Sequence, residues 1–335
     1  MPPSVTVIIA AYNAQDTLAR AARSALSEPE TAEVIIVDDA SQDDTCGVAR
    51  NLAREDARVR LIPLEDNQGP ANARNRALEA ATADYVAVLD SDDVFLPGRL
   101  ARLLTSVDAD MVADNIAFVA PENLDMLIEQ DWIDITPEFT PLGAAAFVRG
   151  NLQARGVARS ELGFLKPVMA RAFLARHGLR YDSELRLGED YDLYVRMLLA
   201  GARLKLTRYP GYAAVVRPGS LSAEHGTVEL SHLRDRLAAH LQTNGLSPDL
   251  AHAMRAHLKE VERKRDHRAF LDLRRKRGAG AALRYLFEVL DRPLPVMLQI
   301  ARDKLGLTVS AGEAAPARGA RLLLPTEGQG SVQLR

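Results

Sequence analysis

Four short apolar runs, rich in β-branched residues and separated from one another by single helical patterns, open this 335-residue chain. They are Val5–Ala10, Glu33–Val37, Val59–Leu64 and Tyr85–Leu89. Val5–Ala10 is continuous enough to predict a strand buried on both faces and Glu33–Val37 a second buried strand, with Val59–Leu64 and Tyr85–Leu89 as the third and fourth strands. After the first, Leu18, Ala21, Ala22, Ala25 and Leu26 repeat at the spacing of a helix's buried face. Further helices are predicted from about Asp44 to Ala53, after Gly69-Pro70, and from Pro97. Strands joined through single helices make a mainly parallel sheet with helices on both faces, an α/β fold. In such sheets ligands bind beyond the carboxyl ends of the strands. Three of the four runs end in polar clusters there: Tyr12-Asn13, Asp38-Asp39 and Asp90–Asp93. The spacing predicts one crevice shared by all three.

With 47% hydrophobic and 26% charged residues, the chain is neither a disordered polymer nor a collagen-like repeat. Its one cysteine, Cys46, excludes an internal disulfide and any disulfide scaffold. No Lys or Arg precedes Arg20, so the short apolar start lacks the charged region of a signal peptide. No window approaches the roughly 20 apolar residues that span a bilayer. A cytoplasmic protein not integral to a membrane is the expectation. The net charge of −3 hides a split: residues 1–150 hold 11 Lys+Arg against 26 Asp+Glu, the remainder 31 against 19. The acidic half suits divalent cations and not nucleic acid; the basic half suits an anionic ligand or surface.

Beyond residue 120 the pattern weakens. Residues 120–165 show no clear period and contain the only tryptophan, Trp132. Helices are predicted over Pro167–His177 and Asp190–Ala200, each closed by a glycine, Gly178 and Gly201. Strands follow at Leu204–Thr207 and Tyr212–Val216, then a helix from Thr227. Ser247-Pro248 caps a long basic helix reaching about Arg277, where Gly278–Gly280 breaks it, and short helices run to Leu305. The expected organisation is an α/β domain over 1–226, a basic helical extension over 227–308 and a loosely ordered tail over 309–335.

In Asp90-Ser91-Asp92, residues two apart in extended chain point the same way, so both carboxylates face the crevice. Together they would ligate an oxygen-seeking divalent cation, Mn²⁺ or Mg²⁺; an acidic turn capping the next helix is the alternative. Asp39 reads equally as an acceptor for a ligand N–H or as a helix cap. Arg74 reads as a phosphate partner or a solvated helix residue. Glu189-Asp190 stands where a helix dipole favours acids. As a functional residue, Asp190 would take a proton from a hydroxyl nucleophile.

These segments together resemble family 2 glycosyltransferases of the GT-A fold. The resemblance rests on Val5–Asn13, Val37–Ser41, Asn67–Asn75, Asp90–Asp93 and Gly188–Asp190, which stand in the family's order and spacing over residues 4–222. It implies a nucleotide-sugar donor, usually linked to UDP, and inversion at the anomeric carbon. It further implies that Ala10 and Tyr12 lie against the base and that Asp39 accepts from the uracil N3–H. Arg74 would hold the nucleotide or diphosphate, Asp90 the ribose or metal, and Asp92 the metal. Asp190 would be the general base, with Glu189 on the acceptor side.

Where many relatives carry a histidine three residues before a Ser-x-Ser, this chain has Arg217 before Ser220-Leu221-Ser222. Arg217 would then contact the diphosphate, or His225 would replace the missing ligand. No Gln-x-x-Arg-Trp run occurs, so addition of one sugar, as in succinoglycan-type exopolysaccharide assembly, is expected over processive synthesis. Such enzymes build on polyprenyl-diphosphate-linked oligosaccharides, and a glucosyl donor with a β-linkage is the expectation. Residues 255–277 hold ten Lys+Arg and four acids, with Leu258, Val261 and Phe270–Leu273 as apolar surface for peripheral membrane contact; packing on the catalytic domain is the alternative. A sugar-nucleotide pyrophosphorylase would need a Gly- and Lys-containing loop, which Ala10–Gln15 lacks. A non-catalytic nucleotide-sugar-binding protein is the third reading.

Overall fold

The computed structural model describes residues 3–106, 108–130, 138–152, 161–216, 226–289, 293–304, 319–326 and 329–332. Arg217, Ser220, Ser222, His225 and Trp132 lie outside the described residues.

The elements run β1 (Val5–Ala11), α1 (Leu18–Leu26), β2 (Thr31–Asp38), α2 (Thr45–Glu55), β3 (Val59–Pro63), α3 (Pro70–Ala80), β4 (Tyr85–Val88), β5 (Val94–Phe95), α4 (Arg99–Leu103), β6 (Met111–Val119) and α5 (Leu124–Glu129). Then follow β7 (Thr140–Pro141), α6 (Ala144–Arg149), β8 (Val168–Ala170), α7 (Arg171–Arg176), α8 (Glu189–Leu199) and β9 (Leu204–Val215). The chain continues through α9 (Thr227–His240), α10 (Pro248–Arg284), α11 (Leu294–Lys304), β10 (Ala320–Thr326) and β11 (Gln329–Val332).

One sheet runs in the order β11-β10-β6-β8-β4-β1-β2-β3, with β9 beside β6. β3, β2, β1 and β4 are mutually parallel, as expected for strands joined by helices. The apolar runs of β1, β2 and β4 are buried, with Ile8, Ile9, Ile35, Ile36 and Val86 showing no exposure, whereas β3, at the end of the sheet, buries only Val59.

Three expectations are corrected here. Pro167–His177 is not one helix: Val168–Ala170 pairs antiparallel with both β4 and β6, and the helix starts at Arg171. Val168 and Met169 are buried between those strands, so sheet pairing overrides the local helical pattern. Residues 320–326, expected in a loosely ordered tail, form β10 antiparallel to β6. The fully buried Asn115 supports it with its side-chain amide, which donates to Leu324 O and accepts from Leu324 N, both at 2.8 Å. The two strands expected after Gly201 are one, β9, whose register against β6 shifts around Asn115.

The chain divides into two compact units, one of Met1–Ala144, Ser160–Pro218 and Ala314–Arg335, the other of Ala145–Arg159 and Gly219–Glu313. The second is helical. Leu230, Leu233 and Leu237 of α9 are buried, as are Leu250, Met254, Val261 and Phe270 of α10. Val261 and Phe270 are thus not available as the surface expected of the basic helix. α10 kinks at Gly278, whose φ of 83° a side chain would strain. Among the described residues no helix is long and apolar enough to cross a membrane.

Candidate active site

The loops leaving β1 and β2 are clasped together. Asn13 N donates to Ser41 Oγ at 3.0 Å, and Gln42 N to Asn13 Oδ1 at 2.8 Å. Ala14 N donates to Thr45 Oγ1 at 2.7 Å. Asn13 and Ala40 both take positive φ, 49° and 57°. Within this clasp Tyr12 is 44% exposed, and Ala10 is half-buried. Asp39 is buried beside them, and its two oxygens accept from Gln68 N and Gly69 N at 2.8 Å each. It therefore holds the start of α3, the helix that carries Arg74, rather than capping α2.

Arg74 and Lys166 join carboxylates from distant segments into a closed ring. Arg74 Nη2 donates to Asp90 Oδ1 at 2.7 Å; Arg74 Nη1 donates to Glu189 Oε1 at 2.7 Å and Asp190 Oδ1 at 3.2 Å. Lys166 Nζ reaches the other oxygens, Asp190 Oδ2 at 2.7 Å and Asp90 Oδ2 at 3.0 Å. Asp90 and Asp190 are thus strapped together twice. Glu189 and Asp190 enter at the first turn of α8, after Gly188 at φ 73°. Lys166 enters because β8 runs antiparallel to β4, which brings the residues before Val168 to the end of β4.

The electrostatics follow from burial and pairing. Burial opposes ionisation of Asp90, but Lys166 and Arg74 outweigh it and hold the carboxyl well below its usual range. Burial likewise opposes the Lys166 charge, yet Asp190 and Asp90 push the ammonium above the usual lysine value. Arg74 spends its two terminal nitrogens on three carboxylates, and its buried Nε has no partner among the described residues.

A second layer holds the Asp90–Asp93 turn. Tyr212 Oη accepts from Asp90 N at 3.1 Å and donates to Asp93 Oδ2 at 2.8 Å, while Val215 N donates to Asp93 Oδ1 at 2.9 Å. Burial, with Asp90 and Asp92 close by, drives the Asp93 carboxyl well above its usual range. Behind Tyr212, the fully buried Arg99 makes a bidentate pair with Asp114, Nε and Nη2 each at 2.9 Å. Its Nη2 also donates to the Lys166 carbonyl, and its guanidinium lies 4.4 Å from the Phe95 ring centroid and 5.4 Å from that of Tyr212. One buried arginine therefore ties both arms of the site.

The structure brings Ala10, Tyr12, Asp39, Arg74, Asp90, Asp92, Glu189 and Asp190 to one end of the sheet, Asp92 half-buried. Among the described residues no group of three or more His, Cys, Asp or Glu suits a metal ion. Asp90 and Asp92 are oxygen donors of the kind that Mg²⁺ and Mn²⁺ take, one or two carboxylates with substrate phosphate and water completing the shell, with both Asp90 oxygens also engaged by Arg74 and Lys166. Sequence reasoning missed Lys166, Tyr212 and the Arg99–Asp114 pair, and placed Asp93 in the cluster at the end of β4 without giving it a role. A lone cation inside the apolar Phe164–Met169 run was the available signal for Lys166; no local pattern marks the others.

Lys166→Met is expected to destabilise the protein most at neutral pH. Asp90 has a folded-state pKa below its unfolded value near about 3.9. Its stabilisation is therefore present above that value and lost as pH falls toward the folded pKa. The deficit of the variant in urea unfolding should be larger at pH 7 than at pH 3. An equal deficit at both would remove the ion-pair explanation.

The sequence profile described as glycosyl transferase family 2 matches residues 6–139. The chain is 45% identical to the succinoglycan biosynthesis protein ExoU of Rhizobium meliloti, over 94% of this chain and 92% of that one. It is 30% identical to WfaP of Escherichia coli, a UDP-Glc:alpha-D-GlcNAc-diphosphoundecaprenol beta-1,3-glucosyltransferase, over 65% of this chain and 80% of that one. Among solved structures, S. aureus TarS (1–349) in complex with UDP-GlcNAc aligns at a TM-score of 0.58 and 19% identity, over 90% of this chain and 80% of that one. The mannosyltransferase PcManGT of Pyrobaculum calidifontis, in complex with GDP-Man and Mn²⁺, aligns at 0.55 and 18%, over 92% and 81%. These similarities show the GT-A fold.

Proposed function

The chain belongs to glycosyltransferase family 2, and from that premise we propose that it transfers one glucosyl residue from UDP-glucose, with inversion, to a polyprenyl-diphosphate-linked oligosaccharide during exopolysaccharide assembly. The observation that carries this reading is the double strap between Asp90 and Asp190, residues one hundred apart in sequence. Holding these two carboxylates together supports reading Asp90 as donor-side and Asp190 as the base. ExoU is named for succinoglycan biosynthesis, and WfaP for UDP-Glc and a diphosphoundecaprenol acceptor; both support the substrate classes.

Tyr12 and Ala10 flank the nucleobase, and Asp39 accepts from the uracil N3–H with a lone pair left over by its two backbone bonds. Asp92, with Asp90, would hold a divalent cation, and Arg217 would contact the diphosphate. Glu189 lies toward the acceptor. Asp190 removes the acceptor hydroxyl proton as that oxygen bonds to the anomeric carbon, and the bond from that carbon to the diphosphate oxygen breaks to release UDP. A divalent cation, when bound, offsets the charge on the departing diphosphate. The need for one follows from charge: Asp90, Glu189 and Asp190 outnumber Arg74 and Lys166 within the ring, so a diphosphate approaching without a cation meets net negative charge. PcManGT holding Mn²⁺ with its nucleotide sugar supports this.

Calorimetric titration with UDP is expected to show binding that strengthens in Mn²⁺. No binding with or without the ion would overturn the UDP-sugar donor. Equal binding in both conditions would overturn the cation's part.

A further inference from the structure

Ten large apolar side chains are exposed among the described residues, and six of them crowd into the end of the helical unit: Leu271, Leu283, Phe287, Leu294, Met297 and Leu298. The helices that carry them are already packed. Phe270, Ala282, Leu286 and Val296 form a small buried core, with Leu273, Tyr285 and Ile300 against it. After the Gly278 kink, Ala282 and Leu286 point inward while Leu283 and Phe287, also four apart, point out. On α11, Val296 is buried while Leu294, Met297 and Leu298, at i, i+3 and i+4, share the outer face. The hairpin is apolar on both faces, and a helix surface of that kind requires a non-aqueous neighbour.

Its charge says which neighbour. Arg274, Arg275, Lys276 and Arg277 run up to the kink and Arg284 follows Leu283, all exposed. Residues 271–304 hold eight Lys+Arg against four Asp+Glu. A second copy of this chain would bring the same excess of positive charge to a symmetric contact, which repels. An anionic leaflet accepts both features, with apolar side chains among the acyl chains and guanidinium groups at the phosphates. We infer that this hairpin, on either side of Gly278 and along α11, docks the protein on an anionic phospholipid surface. Docking rests on the proposed lipid-linked acceptor for its purpose, and it confines membrane contact to the end of the basic helix and α11, since Val261 and Phe270 are internal.

The test is co-sedimentation of the full chain with phosphatidylglycerol-containing vesicles and with pure phosphatidylcholine vesicles. Phe287→Ser/Leu294→Ser/Leu298→Ser and Arg274→Gln/Arg275→Gln/Arg277→Gln variants are compared with the wild type. Wild type should bind the anionic vesicles at least about tenfold more tightly than the neutral ones. Each surface cation contributes about fivefold, from roughly 1 kcal/mol apiece, so the variant lacking three arginines should lose about a hundredfold and the wild type should release in high salt. The apolar variant should lose binding without losing its helical circular dichroism. Wild type that ignores anionic vesicles, or variants that bind like wild type, would overturn the docking surface. So would light scattering that shows a dimer dissolved by the apolar variant, since the occupant would then be a second copy. UDP titration of the same samples separates this proposal from the donor reading: UDP binding without vesicle binding sinks only the docking, and the reverse sinks only the donor.

Discussion

Asp190→Asn should lower sugar transfer by about 10²–10⁴-fold, the range for loss of a positioned base, while UDP affinity stays within a few-fold. The proposed nucleobase elements around Tyr12 and Asp39 belong to the β1 and β2 loops, clasped to each other through Asn13 and Ser41 and not through Asp190. The substitution also touches the strap. Lys166 Nζ at 2.7 Å and Arg74 Nη1 at 3.2 Å meet opposite oxygens of Asp190, so an amide must turn an N–H toward one cation. Lys166→Met provides the comparison, because it removes one of the two straps and leaves the carboxylate in place. Steady-state transfer with UDP-glucose and calorimetric UDP binding on both variants separate the two effects. Transfer at the wild-type rate in Asp190→Asn would sink the base assignment. Equal losses in both variants would assign Asp190 to positioning instead.

The second large effect is on stability. Arg99→Leu is expected to cost about 3–5 kcal/mol, because it leaves Asp114 as a buried carboxylate with its cation gone. Burial already raises the Asp114 pKa, and Arg99 is the leading opposing influence. Arg99→Leu/Asp114→Leu should recover most of that loss, since replacing a buried pair by apolar residues is often near neutral. The double variant should not recover the site, because Lys166 O and the Tyr212 ring still lose their common support. Urea unfolding and transfer rates measured on the single and double variants test both statements. Full recovery of transfer in the double variant would show that Arg99 contributes only to folding. Gly211 has its own reason to stay small, since a Cβ there would stand 1.9 Å from Asp114 Oδ2.

Local patterning determined a great deal. A buried parallel strand needs an unbroken apolar run, and a helix needs a 3.6-residue period, so β1 to β4 and α1 to α3 were legible from residues a few positions apart. Polar residues at the ends of those strands had to converge, because parallel strands share one carboxyl edge. That placed Tyr12, Asp39 and Asp90 together before any coordinates. The Gly278 break and the Ser247 cap, whose Oγ accepts from Leu250 N at 3.2 Å, were equally local.

Tertiary structure alone decided the rest. Val168–Ala170 and Ala320–Thr326 are short segments whose strand state depends on β4 and β6 offering backbone partners, and no period within them carries that information. Asp190 meets Asp90 only because β8 delivers Lys166 and α3 delivers Arg74 to the gap between them. Ion pairs follow from which chain segments meet, and periodicity reports only on neighbours along the chain. The strands and their acidic ends were therefore readable from the sequence, whereas the cations that make those acids into a single site became visible only in the fold.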